Sequence, residues 1–198
     1  MLVDAGGVLF NNISEETDFL ALLAQRYHAQ LPRLRRALDQ HDHDYETDAA
    51  HVHQVLMTCL ELAGGDCEDF DGDHTDELYL ARVEAYPSCF EQLRALRALH
   101  PELVLALANN EAAHWDEVKN ARYEHLALFD VIGSSWHLRA VKPTDEYFHR
   151  LLAAVGCDAD EVLLADDNPD IVRAARLFGL NAVHIPSPPS LFGVWDRL

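Results

Sequence analysis

The sequence predicts an α/β protein, a parallel sheet with crossover helices, interrupted after its first strand by a stretch that is helical throughout. Three observations carry this reading. Apolar runs at Leu2–Val3, Leu103–Ala108 and Glu161–Ala165 stop abruptly at polar residues, namely Asp4, Asn109 and the pair Asp166-Asp167. Glycine or a helical pattern follows each of these ends, which is the alternation expected of parallel strands joined by crossovers. Between Ile13 and Ala85 the apolar residues recur at helical spacing and nothing reads as a convincing strand.

The first stretch, Leu2 to Asn12, ends its strand on a single acid, Asp4, and then places Gly6 and Gly7. Glycines let backbone amides approach whatever the acid handles, which favours phosphate or metal chemistry. Taken alone, a simple turn would explain the same residues. Only three residues precede Asp4, so neighbouring strands must hold this strand, or the true start of the chain lies upstream. Asn11 and Asn12 stand where the chain leaves the strand and are candidates for touching a substrate, or are turn residues.

Behind Ser14-Glu15-Glu16-Thr17, where Ser14 and Thr17 suit N-caps, Phe19, Leu20, Leu22, Leu23 and Tyr27 form an apolar stripe. Leu31, Leu34 and Leu38, then Val52, Val55, Leu56, Cys59 and Leu60, continue the pattern until Gly64-Gly65, and a further helix is expected over Thr75–Ala85. His41, His43, His51 and His53 are dense enough to suggest a metal. At i and i+2 on a helix they would face apart, so exposed histidines on an acidic surface are expected, and only a loop or two-strand arrangement would bring them together.

From Tyr86-Pro87 the alternation is regular. A helix is expected over Cys89–Leu99, another from near Glu111, and a short apolar run at Val131–Gly133. Thr144 caps a helix carrying Phe148, Leu151, Leu152 and Val155, and Gly179 closes a helix over Ile171–Phe178. Asn181–Ile185 is the last strand and an irregular tail begins at Ser187. Trp115 and Trp136 lie near strand ends, where a large aromatic is more often core than cleft lining.

The chain has 198 residues, about half of them apolar, enough for one sizeable core or a core plus an insert. With 15 basic against 34 acidic residues and a formal charge of −19, it would repel a nucleic-acid backbone. The cluster Arg33, Arg35 and Arg36 is answered by Asp39, Asp42 and Asp44 and reads as a solvated helix face. Four cysteines without paired spacing, no leader and no apolar run approaching the roughly 20 residues of a membrane span point to a soluble cytoplasmic protein. Nothing in the sequence specifies an oligomeric state.

In a parallel sheet, Asp4, Asn109 and Asp166-Asp167 converge on one edge, where open α/β folds bind ligands. Three gathered carboxylates need a divalent cation among them, and oxygen ligands select Mg²⁺ over zinc. Lys142, on the loop before a helix, is placed to neutralise a phosphoryl group.

These residues resemble the haloacid dehalogenase-like (HAD) superfamily of hydrolases, over nearly the whole chain. Asp4 matches the family's nucleophile, Lys142-Pro143 its lysine before a helix, and Asp166-Asp167 its acidic pair, the run Asp166-Asp167-Asn168-Pro169-Asp170 being the most specific part. The resemblance implies a doubly wound, Rossmann-like core from residues 1–12 and 86–198 and a helical cap from 13–85. It implies a Mg²⁺-dependent phosphatase acting on a small phosphorylated metabolite through an aspartyl-phosphate on Asp4, with Lys142 holding charge. Asp4, Asp166, Asp167 and the Gly6 carbonyl would serve the metal, and Gly7, Asn109 and Asn11 the substrate. Two positions depart from the pattern. Gly6 stands where a second acid usually protonates the leaving group, and Ala108 stands where a Ser or Thr usually binds phosphate. The departures leave a second reading, an impaired member that binds a ligand or partner without turnover, and a minor third, hydrolytic dehalogenation.

Overall fold

The computed structural model describes residues 1–194. The chain runs β1 (Leu2–Val3), then α1 (Ile13–Glu16), α2 (Phe19–Arg26), α3 (Leu31–Glu46), α4 (Val52–Leu62), α5 (Gly72–Leu80) and α6 (Pro87–Leu99). It continues through β2 (Ala106–Leu107), α7 (Ala113–Tyr123), β3 (Val131–Ile132), α8 (Ser135–Leu138), α9 (Asp145–Val155), β4 (Leu163–Asp166), α10 (Pro169–Phe178) and β5 (Asn181–His184).

The five strands form one parallel sheet in the order β3-β2-β1-β4-β5. The very short β1 is central and its neighbours hold it. Ala106 N donates to Met1 O at 2.9 Å, Ala108 N to Val3 O at 2.8 Å, and Asp4 N to Ala165 O at 3.0 Å. Side chains alternate between faces with the period of a strand. Val3, Leu107, Leu163 and Ala165 join one apolar cluster, whereas Leu2, Ala106, Leu164 and Ala182 join another with Tyr147, Phe148 and Val172 of α9 and α10. Helices therefore cover both faces, as a parallel sheet requires. The first cluster runs on into the inserted helices through Phe19, Leu23, Leu34 and Leu56. Among the described residues no helix is long and apolar enough to cross a membrane.

Several element ends differ from the sequence expectation. The helix expected over Thr75–Ala85 is α5, Gly72–Leu80; the Asp71 carboxylate caps it by accepting from His74 N at 3.0 Å. Residues beyond Leu80 are claimed by a distant partner. Asn11 N donates to Glu84 O at 3.0 Å, Tyr86 N donates to Leu9 O at 2.8 Å, and Ala85 bridges Phe10. The two connections between sheet and inserted helices thus lie side by side. Neither Ser14 nor Thr17 is an N-cap. Asn12 and Asp18 hold those positions, and the Thr17 hydroxyl donates back to Ile13 O at 2.6 Å. Glu161 is not in a strand: Asp158 and Glu161 form a capping box that winds Ala159–Glu161 into a 3₁₀ turn before β4. Thr144 does cap α9, accepting from Tyr147 N at 3.2 Å, and Gly179 ends α10 at φ 111°.

Candidate active site

The carboxyl ends of β1, β2 and β4 carry the polar clusters read from the sequence, and parallel pairing brings them to one edge. Asp4 is the first residue beyond β1, Asp166 the last of β4, and Lys142 reaches both from the loop before α9. The Lys142 ammonium is 2.9 Å from Asp4 Oδ1 and donates to Asp166 Oδ2 at 2.7 Å. All three are buried. Asp4 Oδ1 also accepts from Ala5 N at 2.8 Å, and Asp166 Oδ1 from Asn168 N at 2.9 Å. Asn110 holds the lysine loop with its side-chain amide, donating to Lys142 O at 3.0 Å and accepting from Lys142 N at 2.8 Å.

Asp4, Asp166 and Asp167 each offer a carboxylate oxygen within 4.8 Å of the other two. One lysine does not balance them. Burial pushes the Asp4 carboxyl up to about 8, Lys142 pulling against it and Asp166 and Asp167 adding to it. Burial also raises Asp167, with Asn12 opposing and Asp166 adding. Burial would lower Lys142, but Asp166 and Asp4 outweigh it and hold the ammonium well above the usual lysine range. The cluster is short of positive charge, and its donors are all oxygen, the set that suits Mg²⁺.

The glycines fit closely around it. Gly7 has φ 61°, and the Asp167 carboxylate lies in the space a Cβ there would fill, so both conformation and room require glycine. Gly6 faces Asn12, whose Oδ1 takes the corresponding space. Asn12 Nδ2 donates to Asp167 Oδ2 at 2.9 Å, so Asn12 reaches the acidic cluster. Asn11 does not. Its Nδ2 donates to Arg82 O at 3.0 Å and its Oδ1 accepts from Glu84 N at 2.8 Å, fastening the two chain connections together.

A cleft of about 540 Å³ opens beside these residues, between the strand ends and α3, lined by Gly6, Asn109, Trp115 and Lys119 on one side and Asp42 and Glu46 on the other. Asn109 is buried and its Nδ2 has no acceptor, and the same is true of the Trp115 indole N–H. An unpaired buried donor costs roughly 1–3 kcal/mol, so two of them lining one cleft fit a ligand that brings acceptor oxygens. Trp115 is also core, stacked on Tyr79 with centroids 4.3 Å apart. Trp136 donates its N–H to Asp116 Oδ2 at 2.8 Å.

Three features escaped the sequence reading. Lys119 is buried beside the cleft, paired with Glu111 and 3.9 Å from Asp116. Burial, then Asp42 and Glu111, push Glu46 up to about 7, against Lys142. His51 and His53 meet His114 of α7. Burial decides the first two, and His114 joins the histidines from about sixty residues away; neither burial nor that meeting has a local signal in the sequence. A larger depression of about 1130 Å³ between α9 and α10 lies away from the strand ends and holds none of the residues above.

The sequence matches the family described as haloacid dehalogenase-like hydrolase over residues 1–179. No curated protein sequence matches it significantly. Among solved structures, the fold is similar to a HAD family enzyme from Bacteroides thetaiotaomicron, in complex with magnesium and inorganic phosphate (TM-score 0.76, 18% identity, 98% of this chain and 97% of that one). It is also similar to a predicted HAD-like family hydrolase from Porphyromonas gingivalis (TM-score 0.75, 17% identity, 99% and 95%). The L-2-haloacid dehalogenase of Xanthobacter autotrophicus, with chloropropionic acid covalently bound, is similar over 93% of this chain and 76% of that one (TM-score 0.63, 20% identity).

Proposed function

Since the chain belongs to the haloacid dehalogenase-like hydrolases, we propose that it is a Mg²⁺-dependent phosphohydrolase acting on a small phosphorylated metabolite through an aspartyl-phosphate on Asp4. The observation that carries this reading is the set of three carboxylates within 4.8 Å of one another, with Lys142 bridging two of them, next to a cleft lined by the neighbouring Gly6, Asn109 and Asn110. Asp4, Asp166, Asp167 and the Gly6 carbonyl would hold Mg²⁺, which when bound supplies charge stabilisation to the transferring phosphoryl oxygens.

Asp4 contributes a carboxylate oxygen that attacks phosphorus, and the bond from phosphorus to the leaving oxygen breaks. Water then attacks the aspartyl-phosphate, releasing inorganic phosphate and restoring Asp4. Lys142 holds Asp4 in place, opposes the burial that favours its protonated form, and neutralises phosphoryl charge. The unpaired Asn109 amide would donate to a phosphoryl oxygen, offsetting the donor absent at Ala108, whereas Gly7 lines a smaller pocket beside Asp167. Glu46, pushed up to about 7, is the group on the cleft wall suited to give the leaving oxygen its proton, the role Gly6 lacks. Asp39 and Asp42 stand along that wall together with Arg35, so a leaving group there meets both signs of charge. The helices of residues 13–85 act as the cap that closes over it. Four free cysteines fit a reducing cytoplasm.

The test is hydrolysis of a panel of small phosphate compounds, including an activated aryl ester and an acyl phosphate, with and without Mg²⁺, beside Asp4→Asn. Metal-dependent turnover lost in the variant supports the reading. Turnover no greater than that of the variant overturns it in favour of a ligand-binding member, the reading that Gly6 and its occupation by Asn12 favour. Hydrolytic dehalogenation leaves the three-carboxylate cluster without a purpose.

A further inference from the structure

We propose that His51, His53 and His114 form a second metal site, selective for a late divalent ion of the zinc type, which clasps the inserted helices to the sheet. This site is separate from the Asp4 cluster and independent of the phosphohydrolase reading.

Each of the three rings offers a nitrogen within 4.8 Å of the other two, and the ring centroids are 4.7–4.9 Å apart. The i,i+2 pair meets because His51 is not inside a helix. It is the N-cap of α4, extended at φ −66° and ψ 137°, which turns its ring back towards His53. His114 enters from the first turn of α7, four residues beyond Asn110.

Asp76 of α5 points to a ligand rather than a chance cluster. Its Oδ1 is 2.8 Å from His53 Nε2 and its Oδ2 2.6 Å from His114 Nε2, and among the described residues it pairs only with these two rings. A carboxylate hydrogen-bonded to two imidazoles orients both rings, the arrangement that supports ligating histidines. Gly72 packs closely against the His53 ring, where a Cβ would stand 2.6 Å from Nδ1. His51 is exposed, with one bond at its Nδ1 from His53 N at 3.2 Å, so its ring has room to turn.

Three imidazoles select Zn²⁺, Co²⁺, Ni²⁺ or Cu²⁺ over Mg²⁺. Zn–N bonds of about 2.0–2.1 Å in a tetrahedron put the nitrogens roughly 3.3 Å apart, a spacing that small ring movements reach from within 4.8 Å. Solvent takes the fourth position on the exposed side. Because His51 caps α4, His53 lies in it and Asp76 lies in α5, whereas His114 belongs to α7, which follows β2, the loaded site ties the inserted helices to α7.

The experiment is calorimetric titration of Zn²⁺ into untagged, chelator-treated chain in excess Mg²⁺, with Co²⁺ absorption as a second readout. One Zn²⁺ per chain at micromolar affinity or tighter is expected, with a tetrahedral cobalt spectrum and a zinc-induced rise in Tm. His51→Ala and His114→Ala should each weaken binding at least tenfold, Asp76→Asn by about 10–100-fold, and Asp4→Asn not at all. His51 is exposed, so its replacement leaves the fold intact. Binding equal in His51→Ala, His114→Ala and wild type, binding lost in Asp4→Asn, or no saturable uptake below the millimolar range would each overturn the proposal.

Discussion

Asn12 fills the space beside Gly6: its Oδ1 occupies the place of a Cβ on that glycine while its Nδ2 donates to Asp167 at 2.9 Å. The position that usually holds a second acid is therefore packed rather than vacant, and the obstacle is the end of a flexible side chain. Gly6→Asp alone should be destabilising and gain little activity, because Asn12 must leave Asp167. Gly6→Asp with Asn12→Ala should raise kcat on unactivated alkyl phosphates by about 10²-fold or more, the scale of positioned proton transfer. Steady-state comparison of alkyl and aryl esters checks this.

Lys142 is the only cation in contact with Asp4 and Asp166 among the described residues. Lys142→Met should cost about 3–5 kcal/mol, since it strands two buried carboxylates. Asp4→Asn should cost far less, because it removes one of the charges that repel. Urea denaturation without Mg²⁺ separates the two.

The raised Asp4 carboxyl makes stability depend on pH. Its folded value near 8 lies above the ordinary carboxylate range, so the folded state holds a proton that the unfolded state releases. The metal-free protein should lose stability as pH rises from about 4 to about 8. Mg²⁺ should raise Tm more at pH 8 than at pH 5, where proton and metal compete for the same oxygens. A Tm rise independent of pH would contradict the assignment of Asp4 as a ligand.

Glu46 serves as an acid only while protonated. With its value pushed up to about 7, the rate on alkyl esters should fall as pH rises through 7. Glu46→Gln should reduce that rate by about 10²-fold and flatten the alkaline limb, leaving activated aryl esters nearly unaffected. The pH–rate profiles of the two substrate types provide the check.

The Asn109 amide is buried beside the cleft without a hydrogen-bond acceptor. Asn109→Ala should leave the unliganded protein as stable as before, or more so, while weakening inhibition by inorganic phosphate at least tenfold. A stability loss without a change in phosphate inhibition would make Asn109 a structural residue.

The sequence by itself determined the parallel alternation, the edge shared by Asp4, Asn109 and Asp166-Asp167, the cap at Thr144 and the end at Gly179. These follow from local chemistry: apolar runs that stop at acids, a hydroxyl that accepts from the third residue on, a glycine that adopts positive φ. Tertiary structure decided the rest. The chain past Leu80 leaves its helix because Glu84 and Tyr86 find backbone partners in Asn11 and Leu9. Of two adjacent asparagines, one fastens the connections and the other reaches Asp167. His51 and His53 face each other because a cap residue is extended, and His114 joins them from a helix sixty residues away in the chain. Periodicity reports which face of an element is buried, but the partners a side chain meets are set by packing between segments far apart in sequence.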